Sequence, residues 1–253
     1  MSQLLEGKVV LVTGASRGIG AATARVLASH GASVAVNYSL SPEKAEAVVA
    51  EIKSDGGNAL AVGGDVTIEE STHAMIEAIV TQLGGIDGIV NNAVSGAQDG
   101  KFDDADWAGY QNMIDFGAKA VVNTIRFARP HFKARGGGSV VNVVTELWNM
   151  GDGGWSMYLA GKGAMVGISR SLASELGPEN IRINMVAPGW MVTEKVDPTS
   201  QGSLGFAKTL PLRRHGSADE IGKACVFYLS DLSSYCTGTY LPVCGGRVTQ
   251  MGG

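Results

Sequence analysis

The chain is poor in the features that mark several large protein classes. Three of its 253 residues are cysteine (Cys225, Cys236 and Cys244), and their spacing matches no metal site. So sparse a set excludes a disulfide-stapled extracellular scaffold and predicts reduced thiols in a cytoplasmic protein. The formal net charge is −4 and no run of lysine or arginine is present, so neither a nucleic-acid partner nor a membrane surface is indicated.

Long apolar runs are missing as well. No segment approaches the length of a membrane span, and the apolar stretch within residues 1–12 is too short for a signal peptide. What the chain does contain is 45% hydrophobic residues and 36 glycines. That length and apolar content suffice to bury a large core, and we interpret residues 1–253 as a single α/β domain.

Short β-rich runs alternate with longer helical patterns along the whole chain. Residues 8–13 form a continuous apolar run, as a strand buried on both faces requires. Further strands are predicted at 32–37, 59–62, 86–91, 139–144, 181–186 and 240–243, a polar connection at 94–101, and a helical pattern at 104–135 broken near Gly109 or Gly117. This alternation predicts a doubly wound, seven-stranded parallel sheet with helices on both faces, and ligands beyond the carboxyl ends of its strands.

A glycine-rich loop, TGASRGIG, joins the first predicted strand to the first predicted helix. Gly14 lets the strand turn, Gly18 lets the backbone approach a pyrophosphate, and Gly20 lets helix and strand pack closely. Free N–H groups and the helix dipole then favour an anion. The residues predicted to bind the cofactor in this loop are Gly14, Ser16, Arg17, Gly18, Ile19 and Gly20.

The end of the second predicted strand bears on the choice of cofactor. Its sequence is Asn37-Tyr38-Ser39, without the carboxylate that would accept hydrogen bonds from the ribose hydroxyls of NAD. Arg17 supplies a cation that can pair with a 2′-phosphate. These four residues favour NADP(H), while NAD(H) remains an alternative if Arg17 is simply solvated.

A second motif pairs Tyr158 with Lys162, four residues later, so that both lie on one face of a predicted helix. A free phenol has a pKa near 10, and lowering it by about three units is worth roughly 4 kcal/mol. We expect Lys162 and a positive nicotinamide to favour the phenolate and so lower the pKa of Tyr158. Such a tyrosine can donate a proton to the alkoxide that hydride transfer to a ketone produces. An isolated pair would be a surface phenol and a solvated lysine, but the upstream glycine loop favours the catalytic interpretation.

With these motifs in place, the chain resembles the short-chain dehydrogenase/reductase family over essentially its full length, and is most like its 3-oxoacyl-(acyl-carrier-protein) reductase branch. The motifs that carry the resemblance are TGASRGIG, Asp65-Val66, Asn91-Asn92-Ala93, Tyr158-x-x-x-Lys162 and Pro188-Gly189 with Thr193. The resemblance implies a Rossmann fold, with Lys162 also holding ribose hydroxyls. It further implies that Asp65 and Val66 contact the adenine, that Asn91 and Ala93 flank the ribose, and that Met191 and Thr193, after the Pro188-Gly189 turn, hold the nicotinamide amide.

Three positions depart from the family pattern. Thr145 stands thirteen residues before Tyr158, where the family has a serine, and its hydroxyl can still stabilise charge on a substrate carbonyl. Gly117 stands where the family often has an asparagine that holds a water in the proton relay, although Asn112 and Asn123 are near enough in sequence for an alignment slip. Val94 replaces a glycine near the nicotinamide end. These departures concern the proton relay more than cofactor binding.

The function predicted from the sequence is NADPH-dependent reduction of a ketone to a secondary alcohol. The alternatives are an NAD-dependent alcohol dehydrogenase and a catalytically idle nucleotide-binding regulatory protein, which the three departures would favour. Substrate loops are predicted at about 145–155 and 188–215. Their apolar side chains, with Glu146 as the exception, suit a medium-sized apolar ketone or a 3-oxoacyl group. The resemblance also implies a homotetramer or dimer.

Overall fold

The structure is a computed structural model that describes residues 3–95, 100–194 and 196–250, so residues 96–99 of the predicted polar connection lie outside the described residues. Its main strands are β1 Val9–Val12, β2 Ser33–Tyr38, β3 Asn58–Gly63, β4 Gly88–Asn91, β5 Gly138–Val143, β6 Ile181–Pro188 and β9 Tyr240–Val243. They form one seven-stranded sheet in the order β3-β2-β1-β4-β5-β6-β9, and neighbouring strands are parallel. The predicted doubly wound sheet is confirmed.

Helices cover both faces of this sheet. They are α1 Gly18–Ser29, α2 Pro42–Ser54, α3 Glu69–Leu83, α4 Trp107–Ile114, α5 Ala120–Ala134, α6 Leu147–Met150, α7 Ser156–Leu176, α8 Gln201–Thr209 and α9 Ala218–Leu229. Residues of α1, α2 and α9 share one hydrophobic core, and residues of α3, α5 and α7 share another. Alternate residues of β1 enter each core, since Val10 and Val12 face the first and Val9 and Leu11 the second. A strand buried on both faces explains the continuous apolar run.

The direction in which the sheet is wound reverses between β1 and β4. Strands β2 and β3 extend to one side of β1, and β4, β5, β6 and β9 extend to the other. At such a switch point the loops that leave neighbouring strands diverge, which opens a crevice at the carboxyl ends of the strands. The glycine loop after β1 and residues 92–95 after β4 lie on either side of this crevice.

The predicted helical pattern at 104–135 consists of α4, a π-helical turn at Asp115–Lys119 and α5. Of the two breaks expected from the sequence, Gly109 lies inside α4 and Gly117 lies within the π-turn. A side chain at Gly117 would place its Cβ 1.9 Å from the carbonyl oxygen of Gly161 on α7. The two backbones therefore meet directly, and glycine is required at the crossing.

The segment predicted as a substrate loop at 188–215 contains regular structure. Strand β7, Met191–Val192, pairs in parallel with β8, Gly216–Ser217, and α8 lies between them in the chain. The loop at 145–155 contains the short helix α6. Within the described part of the chain, no helix is long and apolar enough to cross a membrane.

Candidate active site

The glycine loop after β1 is clamped by residues that follow β4. The Thr13 hydroxyl accepts hydrogen bonds from the backbone N–H groups of Asn92 and Ala93, each at 3.0 Å. In return, the Asn92 amide donates to the carbonyls of Thr13 at 3.0 Å and Gly14 at 3.2 Å. Thr13 and Asn92 were not among the predicted site residues. The sequence signal for this role was the pair Asn91-Asn92 at the end of β4, in which the second residue, Asn92, holds the glycine loop.

The loop has the geometry of an anion cradle. Gly14 and Gly18 have φ values of +61° and +57°, a region that favours glycine, and a Cβ on Gly14 would lie 2.9 Å from the Ala93 Cα. A Cβ on Gly18 would meet nothing closer than 3.9 Å, the distance at which the Thr193 methyl and a carboxylate oxygen of Glu194 lie. Helix α1 begins at Gly18 and has no acidic residue in its first turn. The backbone of this loop and the N-terminus of α1 therefore suit a pyrophosphate once the Glu194 carboxylate turns away, and Ser16 and Ile19 are half-buried in the same loop.

The residues predicted to select the cofactor divide into one that supports the loop and three that face outward. Asn37 is buried: its Oδ1 accepts from the Gly14 N–H at 3.1 Å and its amide donates to carbonyls of β2, β3 and residue 64. Asn37 therefore positions the loop through its side chain. Arg17 and Ser39 are exposed, and Tyr38 is half-exposed. The Arg17 side chain forms no hydrogen bond or ion pair with any residue that the structure describes.

The residues after β3 lie where the resemblance implies the adenine. Asp65 is half-buried, and its Oδ1 accepts from the backbone N–H of Thr67 at 2.9 Å and from its hydroxyl at 2.7 Å. Val66 is buried, and its carbonyl accepts a 3.1 Å hydrogen bond from the amide of Asn123 on α5. This contact explains why Asn123 is unavailable to the catalytic residues.

Asn91 belongs to a buried network under the catalytic edge of the sheet. Its amide donates to Asn142 Oδ1 at 2.8 Å, and its Oδ1 accepts from the Thr124 hydroxyl at 2.9 Å. Asn142 in turn donates to Ser169 Oγ at 2.7 Å. The chain of hydrogen bonds joins α5, β4, β5 and α7. The Asn91 side chain is thus fully engaged within the protein, and the contacts of Asn91 and Ala93 with the ribose stay predictions.

Thr145, Tyr158 and Lys162 meet at the carboxyl end of β5. Thr145 is buried, its backbone carbonyl accepts a 2.8 Å hydrogen bond from the Tyr240 hydroxyl, and its Oγ1 accepts from the Leu147 N–H at 3.3 Å. The Lys162 ammonium is buried, donates to the Val143 carbonyl at 2.6 Å and lies 5.8 Å from the centroid of the Tyr158 ring. The predicted cluster is thus assembled from β5 and one face of α7.

The pKa values show which charges this site tolerates without a ligand. Burial raises the pKa of Tyr158 to about 12, and a hydrogen bond with Thr145 opposes the rise. Burial also lowers the pKa of Lys162 to about 8. The expectation that Lys162 and a positive nicotinamide together lower the pKa of Tyr158 concerns the cofactor-bound protein and stays a prediction. Desolvation of both groups outweighs their mutual interaction, so at neutral pH the phenol holds its proton and the lysine is mainly charged.

Gly117 does occupy the position opposite the catalytic pair. A small cavity of about 10 Å³ is lined by Val94, Met113, Phe116, Gly117, Tyr158, Gly161 and Lys162. A cavity needs roughly 10–15 Å³ to hold one water, so this one is at the lower limit. Asn112 instead donates to the Ser95 hydroxyl. Neither asparagine that allowed an alignment slip reaches Lys162, and the relay asparagine is absent from this position.

The turn after β6 closes the far side of the site. The Gly189 N–H donates to the Val243 carbonyl at 3.0 Å, and the Pro188 carbonyl accepts from the Glu146 N–H at 3.1 Å. Met191 is buried in the core with its backbone paired in β7. Any contact of Met191 with a nicotinamide amide is therefore restricted to its backbone. Thr193 lies beside the glycine loop, with its methyl 3.9 Å from the Cβ position of Gly18.

A dinucleotide whose phosphates rest on the glycine loop would bring its far end to Tyr158, where a carbonyl or hydroxyl group can exchange a proton. The fold and the site together define a nicotinamide-dependent oxidoreductase that acts on CH–OH or C=O groups. Residues 14–247 match a family model described as enoyl-(acyl carrier protein) reductase. The chain belongs to the short-chain dehydrogenase/reductase family.

Individual relatives agree with this membership. The chain is 37% identical over 243 residues to a 3-oxoacyl-(acyl-carrier-protein) reductase of Staphylococcus aureus, covering 94% of this chain and 97% of the relative. A short-chain dehydrogenase from Burkholderia cenocepacia, solved in complex with NADP, superposes with a TM-score of 0.88 at 32% identity. The match covers 96% of this chain and 98% of the dehydrogenase chain. A blue fluorescent protein from a metagenomic library, solved in complex with NADPH, superposes with a TM-score of 0.87 at 31% identity. The match covers 96% of this chain and 98% of that protein's chain.

Proposed function

We propose that the chain is an NADPH-dependent ketoreductase that converts a ketone to a secondary alcohol, with Tyr158 as the proton donor. The observation that carries the proposal is the meeting of Thr145, Tyr158 and Lys162 beside a loop and helix N-terminus that suit a dinucleotide. The Staphylococcus aureus relative, named as a 3-oxoacyl reductase, supports the direction of reduction.

Each of the three residues has a defined task. When bound, NADPH supplies the hydride. Tyr158 holds its proton at neutral pH and donates it to the substrate oxygen as negative charge develops there. The Thr145 hydroxyl donates a second hydrogen bond to the same oxygen. Lys162, mainly protonated and without an ion-pair partner among the described residues, stabilises the phenolate that remains.

NADPH is proposed over NADH because the loop after β1 offers the cation of Arg17 and no carboxylate directly follows β2. The Arg17 side chain is exposed and free of described partners, so its guanidinium can pair with a 2′-phosphate. Ser39, also exposed, follows β2 where a carboxylate would repel that phosphate. Two structural neighbours hold NADP or NADPH, which supports the same choice.

The proposed substrate class rests on the aromatic side chains of the predicted loop at 188–215. Trp190 and Phe206 pack with ring centroids 4.8 Å apart, and Trp190 is 43% exposed. Trp148, in the other predicted substrate loop at 145–155, lies against Gly163 on α7. An aromatic wall suits a medium-sized, largely apolar ketone, including a 3-oxoacyl thioester.

Turnover with a panel of ketones tests the reaction. Purified protein is mixed with NADPH and ketones that include a 3-oxoacyl thioester, and loss of NADPH absorbance is followed. We expect Tyr158→Phe to lower kcat by roughly 1,000-fold or more, since it removes the proton donor, and to leave NADPH affinity unchanged. Tyr110→Phe is the matched control, because the Tyr110 hydroxyl is also hydrogen-bonded, to Ser156 Oγ at 2.7 Å. Full activity in Tyr158→Phe would refute the proposal.

Binding of the two cofactors tests the selectivity. Arg17→Ala should weaken NADPH by about tenfold or more and NADH far less, because one charge-assisted hydrogen bond is lost. Fluorescence titration measures both affinities. Arg25→Ala on the same helix, where Arg25 pairs with Glu51, is the control. An equal loss for NADPH and NADH would count against the role of Arg17.

A further inference from the structure

Arg247, in the last described turn of the chain, contacts three separate segments. Its Nη1 donates to Glu146 Oε1 at 2.9 Å and its Nη2 donates to Asp152 Oδ2 at 2.5 Å. Its guanidinium carbon also lies 5.3 Å from the centroid of the Phe206 ring. The Arg247 side chain is 19% exposed, so these contacts are largely shielded from water. We call Arg247, Glu146, Asp152 and Phe206 the arginine clasp.

The three contacted segments are the walls of the substrate site. Glu146 directly follows Thr145. Asp152 lies in the loop between α6 and α7, which leads to Tyr158. Phe206 lies on α8 and packs against Trp190. The first two residues belong to the wall after β5 and the third to the wall after β6, so Arg247 joins both walls from outside the catalytic cluster.

We propose that Arg247 is a positioning residue that sets the width and shape of the substrate cleft by holding its two walls together. It selects among ketones through this geometry and touches neither the reacting atoms nor the cofactor. The kinetic part of the proposal rests on the proposed reductase function, whereas the structural part does not.

The burial of the Glu146 carboxylate makes its ion pair with Arg247 important to the arginine clasp. The residue is 2% exposed, and its Oε2 has no hydrogen-bond partner among the described residues, although Cys244 lies alongside. Burial raises the pKa of Glu146, and the hydrogen bond and charge of Arg247 oppose that rise. A buried carboxylate with one satisfied oxygen depends on its cation. Arg247 therefore both neutralises Glu146 and links it to the other segments, and the two roles can be separated experimentally.

Helix α8 connects the arginine clasp to the aromatic pair of Trp190 and Phe206. His215 anchors α8 from its other side, with Nε2 2.7 Å from Ser203 Oγ, and its ring stacks on Phe206 at 5.6 Å. His215 Nδ1 also lies 3.3 Å from the Trp190 carbonyl. Phe206 thus contacts Arg247, His215 and Trp190, so a loss of Arg247 should loosen α8 and shift the Trp190–Phe206 pair.

The experiment compares Arg247→Met, Glu146→Gln, their double variant and Arg247→Lys with wild type. Arg126→Met is the matched control, since it removes an exposed ion pair with Glu69 between α3 and α5. Amide hydrogen exchange of the ligand-free proteins reports on residues 147–155 and 201–209. Thermal unfolding, NADPH affinity, and kcat and KM for a small and a bulky ketone complete the set.

For Arg247→Met we expect faster exchange in both segments, unchanged NADPH affinity, and a fall in kcat/KM on the order of 100-fold for the better ketone, mostly through KM. Arg247→Lys, with one compact charge, should be intermediate. The double variant decides between the two roles. If Arg247 holds the walls, removing the Glu146 charge recovers thermal stability but leaves fast exchange and raised KM.

Two results would overturn the proposal: exchange and substrate preference unchanged in Arg247→Met, or full recovery of both in the double variant. The second result would show that Arg247 merely neutralises Glu146. If wild type reduces no ketone, the reductase function fails, yet the exchange data on the ligand-free chain still decide the clasp.

Discussion

Two buried charged side chains lie near the end of β5, Lys162 on α7 and Glu146 in the segment after β5, and their partners differ. Glu146 is paired with Arg247 and linked through it to Asp152 and Phe206. Lys162 has a carbonyl oxygen as its hydrogen-bond acceptor and no ion pair with a described residue. A neutralised charge can serve structure, whereas a charge without a counter-ion remains available to a phenolate or a ribose.

The surroundings of the two charges follow the same division. On the cofactor side, uncharged groups hold the loops: the Thr13 hydroxyl and the amides of Asn37 and Asn92. These contacts keep the glycine backbone open for a polyanion without competing for it. On the substrate side, long charged and aromatic side chains form the wall.

The largest expected effect comes from moving the helix that carries Lys162. A Cβ on Gly161 would lie 2.2 Å from the Met113 carbonyl oxygen, so Gly161→Ala must push α7 away from α4. We expect a loss of about 3 kcal/mol in unfolding free energy and loss of turnover. Gly167→Ala on the same helix, where a Cβ meets nothing within 4 Å, should instead stabilise by about 0.5–1 kcal/mol. Urea unfolding of both variants measures this difference, and similar values would argue against the tight crossing.

The buried Lys162 ammonium predicts a pH dependence of the free energy of unfolding. Because the pKa of Lys162 falls from 10.5 to about 8 on folding, the unfolded chain binds more protons between these values. Wild type should therefore gain stability relative to Lys162→Met as pH rises from 8 to 10.5, by up to roughly 3 kcal/mol. Below pH 8 the difference should be constant. Urea unfolding at several pH values checks the slope, and a flat difference up to pH 10.5 would mean that Lys162 is not desolvated.

A smaller effect should appear when the cofactor side alone is weakened. Asn92→Ala removes two hydrogen bonds to the glycine loop and should weaken NADPH by about tenfold. The KM for ketone at saturating NADPH should not change. Arg247→Met is expected to show the opposite pattern, so the pair of variants tests whether the two sides are independent. Equal effects of both variants on NADPH affinity and ketone KM would contradict the comparison.

Much of this site could be anticipated because its signals are local. The apolar run of β1, the glycine loop and the four-residue spacing of Tyr158 and Lys162 each depend on short-range geometry, and each has the local structure expected of it. Local patterns could not show burial in the assembled fold. Asn37 and Asn91 are therefore found in buried hydrogen-bond networks, and burial raises the pKa of Tyr158 in the ligand-free protein.

The sequence by itself determined the doubly wound sheet and the position of the glycine loop, and it predicts the catalytic side chains, because strand periodicity and loop chemistry are written within a few residues. The tertiary structure alone decided that Gly117 meets Gly161, that Asn92 clamps the loop, and that Arg247 reaches Glu146 from 101 positions away. Those contacts depend on where distant segments cross, and whether a buried charge is paired or left free is settled only when the chain has folded around it.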